Sequence, residues 1–117
     1  MLSSEAVVPA IKIYVNSGLN SSTLIDELII GAEEEGVPCE VDSAVEGSAV
    51  ALAFKAAVDS VLGVGLGVDR DGTVAVHYNK LPEDKPLFTM NYRIDGEKLR
   101  DLASNAARLV KGMPFLL

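Results

Sequence analysis

Gly63-Val-Gly-Leu-Gly-Val-Asp-Arg-Asp-Gly-Thr-Val-Ala-Val-His-Tyr78 is the stretch that decides the fold. In its first half glycine alternates with Val64, Leu66 and Val68. A strand over Gly63–Val68 therefore carries its glycines on one face and its branched apolar side chains on the other. Thr73–Tyr78 reads as a second strand, and Asp69-Arg70-Asp71-Gly72 between them as a hairpin turn, with glycine where positive φ is tolerated. A bare glycine face invites close packing by a helix, and the alanine-rich segment Ser48–Asp59 is suited to it. The same glycines suggest a phosphate loop, but a dinucleotide fingerprint needs a helix directly after them, and here a turn and a strand follow. Asp69–Gly72 is not a calcium loop either, because the further ligands and the terminal Glu of that pattern are missing.

Upstream of this hairpin, Ala10–Val15 reads as a buried first strand and Asn16–Ser22 as a loop rich in Gly, Asn and Ser. A helix is predicted over Thr23–Glu35, where Leu24, Ile25, Leu28, Ile29 and Ala32 recur at helical spacing. Ser22 or Thr23 can cap its start, and Gly36 with Pro38 stops it. Pro38–Val41 suits a second strand. Downstream, Leu87–Tyr92 suits a fifth strand. A last helix over Gly96–Lys111 carries Leu99, Leu102, Ala103, Ala106, Leu109 and Val110 as its apolar stripe, and Gly112 ends it ahead of Pro114. The order βαβαββ(β)α describes a single three-layer α/β domain over residues 1–117. Its mixed sheet has four to five strands with helices on both faces, and residues 1–8 are a loose lead-in.

Composition narrows the function. The 117 residues are 49% hydrophobic but only 5% aromatic and contain no Trp, so the core is built from Val, Leu, Ile and Ala. A net charge of -7 argues against nucleic acid and anionic membranes, which both require a basic footprint. The first charge is Glu5 and the run Val7–Val15 holds Pro9 and Lys12, so neither a secretory signal nor a spanning helix is expected. One cysteine, Cys39, leaves no internal disulfide and no multi-thiolate zinc site, and points to a reducing cytosol. Cys39 reads as a small core residue and not as a reactive thiol.

Glu33, Glu34 and Glu35 end the first predicted helix, where the macrodipole is already negative and each carboxylate loses about 0.3–1 kcal/mol. Two readings stand: a solvated acidic helix end, or a cluster that takes an external cation, either a metal or a partner's Lys or Arg. The lone His77 faces opposite to Val76 and Tyr78 and reads as a surface or interface residue, with no nucleophile and acid beside it. Arg108 and Lys111 suit the C-terminal dipole of the last helix. Met113, Phe115, Leu116 and Leu117 then form an apolar tail that must dock on its own domain or on a partner.

Five segments taken in order resemble one family: Pro9-Ala-Ile, Ile30-Gly-Ala-Glu-Glu-Glu-Gly-Val-Pro38, Val64-Gly-Leu-Gly-Val68, His77-Tyr-Asn-Lys-Leu-Pro82 with Pro86-Leu-Phe88, and Asn105-Ala-Ala-Arg-Leu-Val-Lys-Gly-Met-Pro-Phe115. They are similar to the small subunit of diol and glycerol dehydratase reactivases. In that family the last motif is usually followed by Arg, where this chain has Leu116. The resemblance implies a non-catalytic, chaperone-like subunit related to the dehydratase medium subunit. Its partner is an actin-like ATPase large subunit. It leaves that subunit so that the dehydratase's own subunit docks in its place, and damaged cobalamin is released. The resemblance also implies that Glu34 reaches Mg2+ at the interface with the large subunit, which completes the coordination. No cofactor is expected in the isolated chain. Glu33, Glu35, Arg108, Lys111 and Phe115 would join Glu34 in binding the partner. Without that partner the chain could self-associate through the same surface. The expected compartment is the cytoplasm or a bacterial microcompartment. Two alternatives remain: a medium-subunit-like structural part of a dehydratase, and a small-molecule-binding enzyme using the glycine strand and His77.

Overall fold

A computed structural model describes residues 8–19 and 21–116, so the expected lead-in over 1–8 lies almost wholly outside the described residues. The elements are β1 (Ile11–Asn16), α1 (Ser22–Glu34), β2 (Cys39–Val45), α2 (Ala49–Asp59), β3 (Val64–Val68), β4 (Thr73–Tyr78) and β5 (Phe88–Asn91). A helical turn α3 (Tyr92–Asp95) and a 3₁₀ turn (Gly96–Lys98) then lead into α4 (Leu99–Lys111). The sheet order is β2-β1-β3-β4-β5, with β1 parallel to both β2 and β3, and β4 antiparallel to β3 and β5. Crossovers between parallel strands keep one hand. The chain steps outward from β1 to β2 and then back past β1 to β3, which places α1 and α2 on opposite faces.

The glycine face behaves as its alternation predicts at two of three positions. A Cβ on Gly65 would lie 2.3 Å from the Ala57 nitrogen and 2.6 Å from the Ala56 Cβ. One on Gly67 would lie 2.1 Å from the Ala49 carbonyl oxygen and 2.4 Å from the Ala53 nitrogen. The backbone of α2 rests directly on β3, and Ala49, Leu52, Ala53, Ala56 and Ala57 line the contact. Gly63 is different: it precedes the strand with φ +76 and faces the Asn79 side chain, so it is a turn residue and not part of the helix seat.

The opposite face carries the main core. Ile11, Ile13, Val15, Val64, Leu66, Val68, Val74 and Val76 pack against Leu24, Leu28 and Ala32 of α1 and Leu99, Leu102, Ala103, Ala106 and Ala107 of α4. Here α1 and α4 run side by side in one direction. Arg100 donates to Glu27 at 2.9 and 3.0 Å, the Ser104 hydroxyl donates to the Gly31 carbonyl at 2.9 Å, and Arg108 donates to Glu35 at 3.2 Å. All three pairs are offset by 73 residues and step by one helical turn, the signature of a parallel pair in register. Gly31 makes the approach possible, since a Cβ there would sit 2.3 Å from the Arg100 carbonyl oxygen.

Element boundaries moved for local reasons. Ser21, one residue earlier than expected, caps α1 by accepting from the Leu24 N–H. β2 continues to Val45 because β1 offers partners as far as Asn16. The last α-helix starts at Leu99, since Gly96–Lys98 tightens into a 3₁₀ turn ahead of it. Gly112, with φ 70, closes α4 in the left-handed conformation as expected.

Gly65→Val is expected to destabilise the domain by about 1–3 kcal/mol, because the new side chain must lift α2 off the sheet. Gly96→Ala, with nothing within 4 Å of its Cβ, should stay within about 0.5 kcal/mol of the parent. Urea denaturation of the two variants checks the contrast; equal midpoints would contradict the packing account.

Candidate functional site

Because α1 and α4 are parallel, both present their C-terminal carbonyls at the same end of the molecule. Two macrodipoles of about half a negative charge each converge there. Glu34 is the final residue of α1 and Glu35 its C-cap. Glu33 and Glu34 are exposed and make no ion pair among the described residues. Glu35 is half-buried and already engaged: its carboxylate accepts from Arg108 at 3.2 Å and lies 4.0 Å from Lys111. Lys111 also donates to the Glu35 backbone carbonyl at 2.6 Å. The last turn of α4 thus supplies the two cations that the end of α1 lacks, and both are committed to Glu35 and its carbonyl. The net result is a negative focus with two free carboxylates at its rim.

Of the apolar tail, Phe115 docks on its own domain by its side chain and Leu116 by its backbone, while the Met113 and Leu116 side chains are exposed and Leu117 lies outside the described residues. Arg108 donates to the Pro114 carbonyl at 3.1 Å. Asn105 grips the tail at two points, accepting from the Leu116 N–H at 2.6 Å and donating to its carbonyl at 3.1 Å. Phe115 stacks edge-on against Phe88 of β5 with centroids 5.2 Å apart. Arg108 therefore touches both Glu35 and the tail, and links the acidic end to Phe115. Ser104 escaped the sequence reading, and Gly31 and Asn105 were quoted only within motifs, with no role assigned to them. Their signals were present, as a glycine inside a helix costs about 1 kcal/mol and two polar residues interrupt the apolar stripe of α4.

His77 corrects its expectation, for it is fully buried and not at a surface. In register it lies beside Gly65, whose missing side chain leaves room for the imidazole under α2. The ring meets Phe54 edge-on at 5.0 Å. Nδ1 accepts from the Tyr78 N–H at 3.0 Å, which leaves the proton on Nε2 to be donated to the Glu83 carbonyl at 3.0 Å. The residue anchors the loop after β4. With Gly65 and Gly67 covered and His77 enclosed, the reading as a small-molecule enzyme loses both of its elements. The crevice at the carboxyl ends of β1 and β3, where open α/β sheets bind ligands, is occupied by its own loops. There Asn16 donates to the Gly47 carbonyl at 2.9 Å and accepts from the Gly18 N–H at 2.8 Å, while Ser17 donates to Glu46.

Cys39 is partly buried at the edge of the main core, packed against it without belonging to it. Burial, and secondarily the nearby Glu33 carboxylate, push its thiol up to about 12. The Tyr14 phenol is likewise raised to about 12, by burial first and then by its hydrogen bond to Asp59. Among the described residues no three His, Cys, Asp or Glu side chains form a metal cage. Glu33 and Glu34 suit a magnesium ion only as one or two carboxylate ligands of a shell completed from elsewhere.

A family model described as dehydratase medium subunit matches residues 8–116. The propanediol dehydratase-reactivating factor small subunit of Citrobacter freundii is 39% identical over 114 residues, spanning 97% of this chain and 96% of that protein. The diol dehydratase-reactivating factor small subunit of Klebsiella michiganensis is 44% identical over 107 residues, spanning 92% and 83%. Among solved structures, that of diol dehydratase-reactivating factor complexed with ADP and Mg2+ superposes with a TM-score of 0.85 at 41% identity, covering 95% of this chain and 100% of the matched one. A glycerol dehydratase reactivase superposes with a TM-score of 0.90 at 35% identity, covering 94% and 98%.

Cys39 in the folded chain is expected to react with a maleimide at least about tenfold more slowly than a free thiol, because burial pushes its thiol up to about 12 and leaves little thiolate at neutral pH. Denaturant should restore the normal rate. Both raised groups hold their protons more tightly folded than unfolded, so their contribution is complete below the unfolded pKa and is lost as pH climbs from about 9–10 to about 12. Urea midpoints at about pH 8 and about pH 11 should fall in that order.

Proposed function

Because this chain belongs to the dehydratase medium subunit family, and within it to the small subunits of diol and glycerol dehydratase-reactivating factors, we propose that it works as the exchangeable, non-catalytic subunit of such a factor. It pairs with an ATPase large subunit and leaves it so that the dehydratase's related subunit docks in its place, which opens the dehydratase and frees damaged cobalamin. The observation that carries this reading is the end-to-end likeness to reactivating-factor subunits. The reading as a structural part of a dehydratase shares the fold, but four relatives by sequence, 37–44% identical, are named as reactivating-factor small subunits. The chain works in the cytoplasm or within a bacterial microcompartment. No helix among the described residues is long and apolar enough to cross a membrane.

The contact with the large subunit centres on the acidic end of α1. Glu34, exposed where two helix dipoles converge, contributes a carboxylate to Mg2+, and the large subunit supplies the remaining ligands. That the matched factor was solved with ADP and Mg2+ supports this placement. Glu33 flanks it. Glu35, Arg108 and Lys111 hold the ends of α1 and α4 together, and Phe115 extends the surface along the docked tail. A magnesium ion supplies charge neutralisation there. The residues of this chain supply a rigid, negatively biased socket that binds the ion weakly alone, since one or two carboxylates compete poorly with water.

Glu34→Gln is expected to leave the isolated chain as stable as the parent, or slightly more so, because it removes charge from the wrong end of a helix. The same change should weaken binding to the large subunit by about tenfold in magnesium, or about 1.4 kcal/mol. Glu33→Gln should weaken it less, since adjacent helical residues point about 100° apart. Titration calorimetry with magnesium and with a chelator measures this. Unchanged affinity of Glu34→Gln in both conditions would sink the metal role.

A further inference from the structure

We propose that Asn105 is a positioning residue for the metal contact at the end of α1. It straps the tail onto α4, and through the tail it keeps Arg108 on Glu35 and away from Glu34. The inference rests on the reading of Glu34 as a metal-bearing carboxylate, and it adds the residue that keeps that carboxylate free.

Asn105 lies in the middle of α4 and is buried. An asparagine there is costly unless its amide is bonded. Both polar atoms of the amide are spent on one residue of the tail. Oδ1 accepts from the Leu116 N–H at 2.6 Å, and Nδ2 donates to the Leu116 carbonyl at 3.1 Å. A neighbouring antiparallel strand would offer the same pair of bonds, and they fix the tail in one register on the helix.

The tail runs back along α4. The Met113 N–H donates to the Arg108 carbonyl at 2.9 Å, and by Leu116 the chain has reached Asn105, nearly one turn earlier. Pro114 is held between these two points, and its carbonyl accepts from Arg108 Nη1 at 3.1 Å. Arg108 Nε donates to Glu35 at 3.2 Å. The guanidinium is planar and rigid, so bonds from two of its nitrogens fix its plane. With the tail loosened, only the Glu35 bond would remain. Glu34 is the adjacent residue, its Cα about 3.8 Å from that of Glu35. It is exposed and makes no ion pair among the described residues. An arginine held at one point turns toward that charge, and the chain's own cation then occupies the focus that a metal would enter. Lys111 is indifferent to the tail, since it bonds the Glu35 carbonyl directly.

The test uses the isolated full chain and Mn2+ as a paramagnetic substitute for magnesium. The readout is broadening of the Glu33, Glu34 and Glu35 amide signals as Mn2+ is added. The parent should bind weakly at this helix end. Asn105→Ala should bind about fivefold more weakly or worse, because a positive charge beside a divalent ion is felt even at the dielectric of water. In an Arg108→Ala background the same change at Asn105 should have no effect, since the cation it releases is gone. A merely structural asparagine would cost the same in both backgrounds. Thermal melts check that the variants fold. If Asn105→Ala does not, the chain cut after Gly112 loses the tail with its helices and sheet intact, and carries the same comparison. Parent-like affinity on loosening the tail, or an equal loss in both backgrounds, would overturn the proposal and leave the metal reading standing. A parent whose signals at this helix end ignore Mn2+ would overturn both.

Discussion

Backbone-to-backbone contact is the constraint on which the rest of this structure depends. At Gly65 and Gly67 the sheet offers α2 no side chains, and the helix answers with alanines, so the two backbones meet at distances no Cβ could share. The consequences spread outward. The helix has one height and one register on the sheet. The imidazole of His77 fits beneath it beside Gly65 and ties down the loop after β4. The outer side of α2 is left to Ala51, Lys55, Val58 and Asp59. On the other face Gly31 repeats the device between α1 and α4.

The close parallel approach of α1 and α4 has an electrostatic cost, since two helix C-termini converge. Arg108 and Lys111 offset part of it through Glu35 and its carbonyl. Glu33 and Glu34 add to what remains. A domain optimised for solitary stability would place a lysine or arginine there. In the contact proposed above, a residual negative focus would leave the partner to contribute the missing cation, while the free chain stays folded without it. The same end is braced by the tail, held by Asn105 at Leu116 and by Arg108 at Pro114, so the socket is rigid before any partner arrives.

Such an arrangement fits a subunit whose task is to be exchanged. No chemistry has to be carried on the chain, and the buried polar residues are used for holding. Asn16 closes the crevice between β1 and β3, Asn105 clamps the tail, and His77 anchors a loop. The described residues leave no buried side-chain nitrogen or oxygen without a hydrogen-bond partner. Function is then a property of outward-facing charge and shape.

Local order in the chain was enough for the elements and for one decisive contact. The alternation of glycine with Val64, Leu66 and Val68 placed a bare face on a strand, and the alanines of Ser48–Asp59 matched it, because strand and helix periods are properties of neighbouring residues. The hairpin at Asp69–Gly72, the oddity of carboxylates at the end of α1 and the stop at Gly112 were legible for the same reason. Tertiary structure alone decided the rest. Alternation showed which way His77 points but not that a helix covers it. Gly63 looked like its neighbours and became a turn residue. The pairing of Glu35 with Arg108 and Lys111, the contact of Gly31 with α4 and the docking of Phe115 on Phe88 join segments far apart in the chain. Periodicity carries no information about which distant face a side chain will meet. That is settled when the sheet order brings β1 and β5 into one sheet and lays α1 and α4 side by side on one of its faces.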